Sequence, residues 1–224
     1  MSVKNQLQNV QASIEEACQK SNRNAADVNI VAVTKYVSID RTKEALEAGV
    51  EHIGENRAED GMAKWNELGD NGIWHFIGNL QSRKVKEMIH AFDYIHSLDR
   101  MSLAKEVQKR TPEGEKKKCF VQVNVSGESS KSGLSVEETI PFIKELCKYK
   151  AIEVVGLMTM APFVEDAEEV RPYFRKLREL KEEIQQMQLP HAPCSHLSMG
   201  MSNDYTVAVE EGATFIRVGS ALVG

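Results

Sequence analysis

What most constrains this chain is an alternation. Short runs of β-branched and apolar residues are each followed by a stretch of helical periodicity, and no two runs are joined by a hairpin turn. Eight such runs can be read: Asn29–Lys35, His52–Glu55, Ile73–Ile77, Tyr94–Leu98, Lys118–Val125, Ile152–Met158, Cys194–Leu197 and Thr214–Val218. Strands without hairpins pair in parallel through right-handed crossovers. Eight strand–helix units close a (β/α)8 barrel, and 224 residues suit that architecture. A doubly wound open sheet is the competitor, but no G-x-G-x-x-G follows a strand and no Walker A sequence occurs. The expectation is an α/β chain forming one barrel domain over 1–224, with an extra amphipathic helix from Val3 to Lys20.

Helix signals support the same division. Ser38 is placed to cap a helix that Gly49 ends, and Ser135 with Glu138 resembles a capping box, although Pro141 leaves that helix's start open. Asp166 to Gln188 reads as the longest helix, with Val170, Phe174, Leu177, Ile184 and Met187 as its buried stripe.

Acids and bases are interspersed, and the net charge of −5 gives no electrostatic reason to expect nucleic acid. The four cysteines show neither C-x-x-C pairing nor metal-ligand spacing, which suits reduced thiols. No apolar run approaches the roughly 18–20 residues of a membrane span. A cytoplasmic protein acting on neither membrane nor nucleic acid is expected.

In a barrel the strand C-termini converge on one face, where ligands sit. They bring together Lys35, Glu55–Asn56, His75 to Gly78, the serine-rich loop after Val125, Met158, Ser198 to Ser202, and Arg217 to Ser220. Lys35 ends the first strand, and a desolvated lysine there is the side chain that forms imines with carbonyl compounds. The last βα-loops, Ser198–Ser202 and Arg217–Ser220, are where barrels commonly hold phosphate. Glycines allow close approach there, and hydroxyls and helix N-terminal amides donate. A lysine, a phosphate cradle and an arginine at one mouth suggest a phosphorylated aldehyde bound as an imine, which pyridoxal 5′-phosphate satisfies. Arg217 beside the pyridine nitrogen would leave that nitrogen unprotonated and the ring a weak electron sink.

Each residue also has a plainer reading. Ser198 and Ser202 suit helix capping as well as phosphate binding, and Asn56 suits a cap for the helix at Arg57. Arg217 can be an ion-pair partner. His75 and His196 read more readily as hydrogen-bonded core histidines than as general bases, and Met158, Met160, Met199 and Met201 as packing or pocket lining.

Several strings then resemble one known family. They are Ala32–Lys35 (A-V-T-K), Ile53–Asn56 (I-G-E-N), Trp74–Ser82 (W-H-F-I-G-N-L-Q-S) and Leu197–Ser202 (L-S-M-G-M-S). Val123-Asn124-Val125, Ser130-Lys131-Ser132-Gly133 and Arg217-Val218-Gly219-Ser220 extend the match across Ile30 to Gly224. The chain resembles the pyridoxal phosphate homeostasis proteins, also called proline synthase co-transcribed proteins, which are related to the N-terminal domain of alanine racemase. The resemblance implies a monomeric or weakly associating barrel. It implies pyridoxal phosphate on Lys35, phosphate contacts from Ser202, Gly219 and Ser220, and Arg217 near the ring nitrogen. It further implies a role in vitamin B6 balance without robust catalysis, holding, buffering or delivering the cofactor, with apo-enzymes that use pyridoxal phosphate as potential partners. Alanine racemases add a catalytic tyrosine from a separate β-domain, which this sequence does not continue into, so an amino-acid racemase is the second reading. A Schiff-base aldolase on the same barrel is the third.

Overall fold

The computed structural model describes residues 2–128 and 131–224, so Ser130 of the serine-rich string lies outside the described residues. Eight parallel strands form a closed barrel in sequence order. They are β1 (Asn29–Val33), β2 (His52–Glu55), β3 (Ile73–Phe76), β4 (Tyr94–Leu98), β5 (Lys117–Gln122), β6 (Ile152–Met158), β7 (His196–Met201) and β8 (Phe215–Val218), with β8 pairing back onto β1. Around them run α1 (Val3–Lys20), α2 (Ile39–Glu47), α3 (Ala58–Leu68), α4 (Val85–Met88), α5 (Met101–Arg110), α6 (Val136–Glu145), α7 (Arg171–Gln186) and α8 (Tyr205–Glu210). The expected (β/α)8 architecture is the one observed. No helix among the described residues is long and apolar enough to cross a membrane.

Local chemistry explains most boundaries. Ser38 Oγ accepts from Arg41 N and starts α2, while Gly49, at φ +100°, takes the left-handed turn after it. The Ser135–Glu138 capping box is present in full at the start of α6, which tolerates Pro141. Helix α1 buries Val3, Leu7, Val10, Ile14, Ala17 and Cys18, and packs chiefly against α8.

Strand ends differ from the sequence reading in informative ways. β1 stops at Val33, and Val123 makes only a single bridge, to Leu134, beyond β5. β7 begins after Cys194, which sits at φ +47° and cannot continue a strand, and it runs on to Met201. Ser198 to Met201 are therefore strand, not loop. The pairing of β7 with β8 shifts register between Ser198 and Met201, around Gly200 at φ +91°. Met199 consequently packs outward in the main core while Met201 faces the barrel mouth. On α7, Leu180 joins the buried stripe and Met187 lies partly exposed beyond the helix.

The main apolar core fills the layer between barrel and helices, while Val31, Phe120, Val155, Met158 and Phe215 form a small apolar cluster separate from it. Gly156 marks a tight passage between β6 and β7, because a Cβ there would lie 2.1 Å from His196 O. Gly156→Ala is therefore expected to destabilise the fold by about 1–3 kcal/mol, as overpacking does, read from the urea midpoint.

Candidate functional site

The C-terminal ends of the strands surround a cavity of about 740 Å³. Lys35, Asn56, Ser202, Arg217, Gly219 and Ser220 all line it, whereas Ser198 does not. Three exposed apolar side chains, Tyr36, Met160 and Phe163, stand on its wall, Phe163 being 85% exposed.

Lys35 follows a rigid support. Thr34 is fully buried; its N–H donates to Gly54 O at 3.0 Å and its hydroxyl to Glu55 Oε1 at 2.5 Å. Lys64, from α3, donates to the Thr34 carbonyl and to Glu55 Oε1 at 2.6 Å, so a buried ion pair clamps the backbone next to Lys35. Beyond it Lys35 emerges half-buried, its Nζ 4.9 Å from the Tyr36 ring centroid. The lysine is therefore only partly desolvated. Among the described residues its amine makes no hydrogen bond or ion pair, which leaves it to a ligand.

Asn56 is not the cap of α3. Arg57 occupies that position, with no side-chain cap bond. Among the described residues Asn56 Oδ1 is buried without a partner, an acceptor that a ligand donor would satisfy. Gly78 lets the loop after β3 close on Asn56, since a Cβ there would lie 2.2 Å from Asn56 O. Across the mouth, the amides of Gly219 and Ala221 both point at Ser202 Oγ, at 3.2 and 3.4 Å. Amides converging on one oxygen, beside hydroxyls, make a concavity suited to anionic oxygens.

Arg217 is 4% exposed and forms no ion pair among the described residues. Its Nη1 donates to Ser198 Oγ at 2.7 Å and its Nη2 to Thr159 O at 2.9 Å. Burial pushes the guanidinium down to about 10, with Asp204 opposing, so it stays charged at neutral pH. Ser198, expected at the ligand, does not line the cavity. Its hydroxyl is fully buried behind Arg217, because Ser198 lies within β7 ahead of the register shift.

Behind Ser198 runs a file of histidines that the sequence reading missed, apart from His75. His96 Nδ1 lies 2.9 Å from Ser198 Oγ, His75 Nδ1 2.8 Å from His96 Nε2, and His52 Nδ1 2.9 Å from His75 Nε2. His75 is the hydrogen-bonded core histidine the sequence suggested, stacked on Tyr94 at 4.4 Å. Burial, reinforced by neighbouring positive groups, holds His75 and His96 well below the ordinary histidine range; burial also lowers His52 and His196. The available signal was that β2, β3 and β4 each carry a histidine at an inward-facing position. His196, by contrast, bonds to Thr214 Oγ1 and does not line the cavity.

Comparison with known proteins adds kinship to this geometry. The alanine racemase N-terminal domain family matches residues 6–224. A pyridoxal phosphate homeostasis protein of Aquifex aeolicus is 41% identical, across 97% of this chain and 96% of the relative. The structure of PipY from Synechococcus elongatus PCC7942 with pyridoxal phosphate bound is 34% identical, covers 95% of this chain and 100% of its own, and superposes with a TM-score of 0.81. Alanine racemase from Corynebacterium glutamicum, 12% identical with a TM-score of 0.71, shares the fold over 99% of this chain and 60% of its own.

Lys64→Met would leave Glu55 buried and uncompensated, and is expected to cost about 3–5 kcal/mol in urea unfolding. The buried histidines set an acid limit. Their folded-state affinities for protons lie below the unfolded value of about 6.5, so below that pH the unfolded chain binds more protons. Their contribution is fully present above about pH 6.5 and is lost as pH falls, by up to about 1.4 kcal/mol per pH unit per histidine. A urea midpoint that stays flat from about pH 8 to pH 5 would contradict neutral burial.

Proposed function

This chain belongs to the family of pyridoxal phosphate homeostasis proteins, and from that premise we propose that it binds pyridoxal 5′-phosphate at the barrel mouth and serves to hold, buffer or deliver it. The observation that carries the reading is the convergence on one cavity of a lysine amine with no hydrogen bond or ion pair among the described residues, an amide-and-hydroxyl concavity and a buried, charged arginine.

The donor set fits the cofactor part by part. Lys35 supplies the primary amine for covalent attachment, at the opening of the cavity. Ser202, Ser220 and the Gly219 amide face the place for a phosphate, across the seam between the last strand and the first. Arg217, a donor with no acceptor function, suits an unprotonated ring nitrogen, and Asn56 Oδ1 offers an acceptor to a ring substituent. Bound there, the cofactor supplies an aldehyde that condenses with primary amines and releases water.

The same residues support a holding role rather than turnover. With Arg217 at the ring nitrogen, a second positive charge on that nitrogen is disfavoured, so carbanion chemistry would find little support. The relatives named for homeostasis agree with this assignment.

An absorption spectrum before and after borohydride, with the modified peptide located by mass spectrometry, tests the reading. The expected result is a visible band, bleached on reduction, with the adduct on Lys35, lost in Lys35→Ala without unfolding. Sustained racemisation, or rapid exchange of an amino acid's α-hydrogen for deuterium, would overturn the holding role. A protein that stays colourless and unlabelled with added pyridoxal phosphate would overturn the site.

A further inference from the structure

The file of histidines behind Arg217 has a direction, and the direction follows from hydrogen-bond bookkeeping. Guanidinium has donors only, so Arg217 must donate to Ser198 Oγ. Among the described residues that oxygen meets one other polar partner, His96 Nδ1. If His96 Nδ1 also donated, the hydroxyl hydrogen of a fully buried serine would have no acceptor. The hydroxyl therefore donates to His96 Nδ1. A neutral His96 then carries its proton on Nε2 and donates to His75 Nδ1, and His75 Nε2–H donates to His52 Nδ1 in turn. The rings are packed among Tyr94, Phe120 and Phe215, and among the described residues none of the three histidines makes an ion pair, Glu51 and Asp93 acting on His52 only through space, so a charged ring would stand unpaired.

We propose that Ser198, His96, His75 and His52 are positioning residues forming a single proton-ordered chain, Arg217 → Ser198 → His96 → His75 → His52, that fixes the arginine's rotamer and keeps it a donor toward the cavity. The chain spans the barrel interior, from β8 across to β7, β4, β3 and β2. It sets the electronic state of whatever accepts from Arg217. Its consequence for the ring nitrogen rests on the pyridoxal phosphate reading; the proton order itself does not.

Two measurements separate those parts. In the cofactor-free full chain with 15N-labelled histidine, NMR at neutral pH should find His52, His75 and His96 neutral with the proton on Nε2. A charged ring, or an Nδ1–H tautomer at any of the three, overturns the chain. In the protein loaded with pyridoxal phosphate, Ser198→Ala should shift the visible band and weaken cofactor retention by about tenfold, the loss of a bond to a charged group. Ser198→Thr, which keeps the hydroxyl, should restore both. A Ser198→Ala band and retention identical to the unsubstituted protein overturn the positioning role. A full chain that never develops the band refutes the cofactor reading instead, and the NMR result alone then decides the proton order.

Discussion

Everything at the mouth depends on the seam where the last strand meets the first. Asn29 sends both its backbone N–H and its side-chain Nδ2 to Thr214 O, at 2.8 and 3.0 Å. Thr214 in turn bonds to Leu197 through N–H and hydroxyl, so one residue ties β7, β8 and β1 together. The register that follows sets Val31 beside Arg217 and Ala32 beside Val218. Lys35 and Gly219–Ser220 thereby leave adjacent strands at the same height. A slip of one residue would turn Arg217 outward and break the arrangement.

Barrel interiors are usually filled by branched aliphatic side chains. This one is mixed: Val31, Phe120, Val155, Met158 and Phe215 share the interior with three linked histidines, a serine and an arginine. Such groups are tolerable only when each donor has an acceptor. A second buried polar set, Thr34, Glu55 and Lys64, lies on the helix side of β2 and holds the peptide before the lysine. The two faces of the strand layer thus carry separate polar supports, one for the lysine and one for the arginine.

Most of the fold was legible because strand and helix periodicities, caps and glycine stops agree with one another. The convergence of Lys35, Asn56, Ser202, Arg217, Gly219 and Ser220 followed once a barrel was assumed. Ser198 was misplaced for a physical reason. Its neighbours Met199 and Gly200 look like loop residues, but β7 continues through them and slips register, separating Ser198 from Ser202. The histidine file was hidden because each member resembles an isolated core histidine. Only the closed barrel shows that three strands direct them to one line. The Lys64–Glu55 pair was hidden similarly, since a lysine in an amphipathic helix normally faces water.

The ring closure also governs how the protein is made. Lys35 and Arg217 lie at opposite ends of the sequence, and the pairing that unites them is the most non-local in the barrel. Contacts of that kind form late, after loop-closure entropy has been overcome. A partly folded chain can therefore expose the lysine amine, yet it has no seat for an anion and no buried arginine. Occupancy of the mouth would then report completed folding: a ligand that needs both ends of the sequence binds only the closed ring and stabilises it by mass action.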